Sequence, residues 1–151
     1  MDKYEKVGQI FLGALSEVLA TVSGFYLDIN SQDTDKSFDE VSGVMYMHGK
    51  NSGMLYVTAN RADVRVICSH IIGVPVKDVT PEDIDDTMCE LVNMTAGNAK
   101  LRLSETDFMF SLSQPFVIKG KDVSIVTKKV THIVSGSLTN GELSVRLKAV
   151  Y

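Results

Sequence analysis

The apolar residues Tyr4, Val7, Phe11, Ala14, Leu15, Val18 and Val22 recur at helical spacing, with polar residues between them. That period predicts an amphipathic helix from about Lys3 to Ser23, because side chains three and four positions apart share a face. Gly24 is a natural stop, since glycine enters the left-handed conformation without a Cβ penalty. The pattern then changes. "FYLDI" reads as a short strand, and "NSQDTDKSFDE" as an exposed polar loop. "VSGVMYMHG" and "GMLYVTA" flank "GKNS", which predicts a hairpin with Met45, Met47 and Met54 in its core. Asn60 is placed to cap the next helix, which ends at Gly73 ahead of Pro75.

"TPED" is a strong helix start. Thr80 takes the cap position, Pro81 the first helical position, and Glu82 and Asp83 face the positive end of the helix dipole. The helix runs to about Leu103. At about 100° per residue, Ile84, Met88, Leu91, Val92, Thr95, Ala99 and Leu103 gather on one side as a core stripe. Asp86, Glu90, Asn93 and Gly97 gather on the other side, with Lys100 at its margin.

After this helix the period becomes that of strands: "FMFSL", "PFVI", "VSIVT", "VTHIVSGSL" and "ELSVRLKAV", with turns at "KGKD" and "TNGE" among them. In the final segment Leu143, Val145, Leu147 and Ala149 alternate with Ser144, Arg146 and Lys148, which predicts one wet face. The fold class is α+β: an antiparallel sheet with long helices packed on it. The two halves also echo each other, ExxAxxxG at Glu17–Gly24 against ExxNxxxG at Glu90–Gly97. An internal pseudo-repeat and a chance match are both compatible with so short a motif.

Composition narrows the function classes. The chain has 151 residues, enough for one domain spanning 1–151 with a sizeable core. A net charge of -4 gives no basic footprint for nucleic acid or an anionic membrane. No apolar run approaches the roughly 18–20 residues that span a bilayer, and the first helix lacks the features of a signal peptide, so a cytoplasmic protein is expected. Cys68 and Cys89 are too few and too far apart for a zinc motif or a disulfide framework, and are expected to be buried reduced thiols. His48, His70 and His132 show no metal-ligand spacing. GxSxG, Walker and GxGxxG motifs are absent.

What is left is the polar face of the long helix. Glycine inside a helix costs about 1 kcal/mol against alanine, and a carboxylate and a carboxamide three residues apart do nothing for a core. Glu90 and Asn93 are neighbours on one face and can engage one object together. Gly97, a turn further on, would let another surface come close. An amide both donates and accepts hydrogen bonds, so Asn93 can hold and orient a water molecule, while a carboxylate can pair with a partner's cation. Orienting water for in-line attack on a phosphoryl group needs little covalent work from the protein. From spacing alone, a solvated helix face with a tolerated glycine explains the same residues.

The run Glu90-x-x-Asn93-Met94-x-x-Gly97-Asn98-x-Lys100-x-x-Leu103 resembles the signature helix of the CheX branch of the CheC/CheX/FliY phosphatases of bacterial chemotaxis. Chain length and the helix–strand–hairpin order fit that branch end to end. Members of the family remove the phosphoryl group from the aspartate of the response regulator CheY. The resemblance implies that Asn93 enters the regulator's active site and positions the attacking water, and that Glu90 pairs with the regulator's lysine. The Mg2+ of the reaction would belong to the regulator, so no cofactor of its own is expected. CheC-type members resemble a molecule with two such sites, whereas here Ala20 stands where the first helix would need Asn. That departure favours one working site and the CheX type, for which a homodimer is expected.

The other residues of the face have two readings each. Asp86 is either a solubilising charge or a partner contact. Met94 and Lys100 flank the face as candidate contacts, and Asn98 is either a contact or a helix-surface residue without a role. A CheX-like docking module that binds a regulator or adaptor without turning it over is the alternative to a phosphatase.

Overall fold

The computed structural model describes residues 1–31, 37–126 and 132–151. Among these, α1 (Lys3–Ser23) is followed by β1 (Asp28–Asn30), β2 (Val41–Gly49), β3 (Gly53–Ala59), α2 (Arg61–Ile72) and α3 (Pro81–Leu103). The strands β4 (Phe110–Leu112), β5 (Phe116–Lys119), β6 (Ile133–Thr139) and β7 (Ser144–Val150) complete the order. All strands join one antiparallel sheet, β1-β6-β7-β3-β2-β4, with β5 also paired to β2.

Local chemistry explains the helix ends. Asp2 and Glu5 close a capping box at the start of α1, and Thr80 and Asp83 close another at the start of α3. Gly24 and Gly73 end α1 and α2 in the left-handed conformation. Asn60 takes the cap position of α2, although its side chain makes no capping hydrogen bond.

The helices α1 and α3 lie antiparallel across one face of the sheet, with α1 over β6 and α3 over β2 and β3. Their core stripes are buried as the periodicity predicts: Phe11, Ala14 and Leu15 on α1, and Ile84, Met88, Leu91, Val92, Thr95, Ala99 and Leu103 on α3. Close approach is built into the sheet. A Cβ at Gly43 would collide with the Met88 carbonyl oxygen, and one at Gly136 with the Leu12 side chain. Lys119 on β5 pairs with Asp85 at 2.9 Å, tying the sheet edge to α3. The helix that carries the polar face is thus held along its length.

Several expectations need correction. β1 begins at Asp28, because Phe25 instead packs its ring on His70 at the end of α2, 4.5 Å between centroids. The segment 123–126 forms no strand of the sheet. Among the described residues it makes one bridge, Ser37 to Ser124, after a turn in which Asp122 has positive φ. Thr127 and the start of "VTHIVSGSL" lie outside the described residues. The second face of β7 is not wet: Lys148 is fully buried, and Arg146 pairs with Asp39 at 3.0 Å and donates to the Ser37 carbonyl. Ser37 and Asp39 reach across to Arg146 on that face, a contact that alternation within one strand cannot reveal. Of the thiols, Cys68 is buried but Cys89 is only half-buried, and Met54 is half-buried where Met45 and Met47 are fully buried.

Candidate functional site

Glu90 and Asp86 are exposed on the outer face of α3, one turn apart, while Asn93, Met94, Gly97 and Lys100 are half-buried beside them. Along the helix axis Asn93 lies about 4.5 Å beyond Glu90 and Gly97 about 6 Å beyond Asn93, at 1.5 Å per residue. Among the described residues, Glu90, Asp86 and Lys100 have no ion-pair partner and the Asn93 amide has no hydrogen bond. These polar groups therefore do no work inside the chain that would hold them back from a partner.

Gly97 sharpens the point. It sits in the middle of α3 with no positive φ, and a Cβ there would meet nothing within 4 Å. Neither backbone conformation nor packing requires glycine, unlike Gly43 or Gly136. The helix forgoes about 1 kcal/mol relative to alanine at such a position, and what it gains is a smooth strip beside Asn93.

The structure does not gather the six residues into one pocket. Glu90, Asp86 and Met94 border a cleft of about 300 Å³ that runs to the ends of α1 and α2. Lys100 borders a separate cavity of about 430 Å³ with His48 and Met109. Asn93 and Gly97 line neither of these two and sit half-buried between them along α3. A ridge of this kind suits insertion into a partner's site better than enclosure of a small substrate.

Carboxylate charge dominates the N-terminal part of the face. The Cys89 thiol, one turn before Asn93, is pushed above its ordinary range by burial and by Asp86, Asp85 and Glu90. It is held in the unreactive thiol form. No group of His, Cys, Asp and Glu among the described residues is arranged to hold a metal ion. Among the described residues, no helix is long and apolar enough to cross a membrane.

Asn98 has a role within the chain. Its amide donates to Glu17 on α1 at 3.0 Å, and Arg102 pairs with the same carboxylate. Asn98 first, then Arg102, holds Glu17 below the usual carboxylate range. Residues 81 apart in sequence make this contact, so no local pattern could have announced it.

The comparisons with known proteins agree with the fold. A family model described as "Chemotaxis phosphatase CheX" matches residues 41–137. A putative chemotaxis protein from Desulfovibrio vulgaris Hildenborough is similar at a TM-score of 0.81 and 23% identity, covering 97% of this chain and 97% of that one. The chemotaxis protein CheX from Vibrio vulnificus is similar at 0.80 and 24% identity, covering 95% of this chain and 97% of that one. A structure of a CheX–CheY–BeF3–Mg2+ complex from Borrelia burgdorferi contains a chain similar at 0.75 and 18% identity, with 94% of each chain covered. No curated protein matches by sequence.

Proposed function

The chain belongs to the CheX family of chemotaxis phosphatases, and from that premise we propose that it dephosphorylates the aspartyl phosphate of a CheY-like response regulator. Asn93 enters the regulator's active site and holds a water in line with the phosphorus. The water oxygen forms the new P–O bond, the bond to the aspartate oxygen breaks, and inorganic phosphate leaves. Glu90 pairs with the regulator's lysine and fixes the depth and angle at which Asn93 is presented. Mg2+, which neutralises the phosphoryl oxygens in such chemistry, is supplied by the regulator. Gly97 lets the regulator's surface settle on α3, with Asp86, Met94 and Lys100 around the contact.

The observation that carries this reading is the unspent character of the face. Glu90 and Asn93 are free on a rigid helix, next to a glycine that the chain's own packing does not require. The bound chain in the Borrelia complex supports CheY as the class of partner. Positioning alone accounts for large rate effects when the attacking atom is held near its target.

The test is phosphate release from a phosphorylated CheY with and without this protein. Acceleration is the expected result, together with no turnover of p-nitrophenyl phosphate, because the face has no nucleophile. Binding to activated CheY without acceleration would replace the phosphatase by a docking module.

A further inference from the structure

The cleft beside Glu90 opens between the last turn of α2 and the first half of α3. Ile71 and Ile72 of α2 and Leu91 and Met94 of α3 give it an apolar lining. Ile72 is 46% exposed, so a large aliphatic side chain is left in water at the mouth. Asp86 and Glu90 stand on the α3 rim, exposed and without partners among the described residues. The third carboxylate there, Asp83, is taken up by the Thr80 backbone N–H in the α3 cap.

Apolar walls below two unpaired carboxylates select a surface of one kind: an apolar side chain standing next to a cation. The same rim repels nucleic acid and anionic lipid. The cleft shares Glu90 with the face that carries Asn93, so a body seated on that face also covers the cleft mouth. About 300 Å³ is at the small end of cavities that hold ligands, roughly 300–1,000 Å³. It has room for a side chain more readily than for a folded segment.

We infer that this cleft is a second anchor for the response regulator, receiving an apolar side chain that flanks the lysine presented to Glu90. The inference rests on the docking role proposed for Glu90 and adds an apolar anchor beside it. Buried apolar anchors with a polar rim usually dominate such interfaces.

The experiment titrates the wild-type protein, Ile72→Asp and Ile72→Gln with CheY activated by beryllofluoride and Mg2+, alongside melting curves and the dephosphorylation assay. Ile72→Asp should weaken binding by about tenfold or more, as loss of one buried aliphatic contact predicts, and Ile72→Gln by several-fold. Asp86→Asn should weaken it less and reduce its salt dependence. Should Ile72→Asp melt early, Ile72→Gln alone decides. Wild-type affinity in the Ile72 variants of a protein that still accelerates CheY dephosphorylation would overturn the cleft and leave the phosphatase reading standing. Failure of the wild-type protein to bind activated CheY would overturn both.

Discussion

Glu17 on α1 and Glu90 on α3 open the same spacing, each followed by a glycine seven residues on. On α1 the carboxylate is held by Asn98 and Arg102, the middle position is Ala20, and Gly24 is the left-handed cap that ends the helix. On α3 the carboxylate has no partner among the described residues, the middle position is the free amide of Asn93, and Gly97 lies mid-helix beside open space. One motif is spent on folding and the other is not. The α3 pattern is the candidate site because the fold gives its residues nothing else to do.

The comparison breaks most easily at Glu90. Reversing its charge, Glu90→Lys, sets like charges against each other at the interface. We expect affinity for activated CheY, read by titration, to fall by about a hundredfold or more with an unchanged melting curve. Unaltered affinity would remove Glu90 from the site. Gly97→Gln comes next. It should raise helix propensity by several tenths of a kcal/mol, roughly 0.5, so the protein melts no earlier. Binding should still weaken by about tenfold, because bulk now stands where the regulator approaches. Normal binding would make the glycine incidental.

Glu17→Ala should do the reverse: melting falls modestly and dephosphorylation is untouched. The sign with pH follows from the depressed pKa of Glu17. Its contribution is present above the ordinary carboxylate range and is lost as pH falls through the lowered value, so wild type and variant should converge on acidification. A loss of activity in Glu17→Ala with stability intact would erase the distinction between the two helices. The smallest effect is expected of Ala20→Asn. Restoring the missing amide should add no second site, because Glu17 remains tied to Arg102. A doubled rate would show that α1 is limited by Ala20 alone.

Much of the scaffold was legible because its signals are local. The stripe Ile84–Leu103, the "TPED" start and the β2–β3 hairpin all depend on neighbours within a few residues. The exposed face of α3 was legible for the same reason, since helical period alone separates Glu90 and Asn93 from Leu91 and Val92. What stayed hidden depends on distant chain segments. The Asn98–Glu17 bond, the Arg146–Asp39 ion pair, and the cleft between α2 and α3 each join residues that only the fold brings together. Over its described part, 123–126, the strand expected there does not form and Ser124 bridges to Ser37 instead, because β-like composition does not by itself supply a partner strand.

The central claim is that Asn93 acts on the water and not on the fold. Asn93→Ala tests it directly, with a melting curve, a titration against activated CheY and a dephosphorylation assay on one variant. Alanine is the better helix former by roughly half a kcal/mol, so the variant should melt as late as the wild type or slightly later. Binding should change little, since Glu90 remains. Acceleration of CheY dephosphorylation should fall on the order of 100-fold, the usual cost of losing a positioning group. Full acceleration by Asn93→Ala would contradict the account.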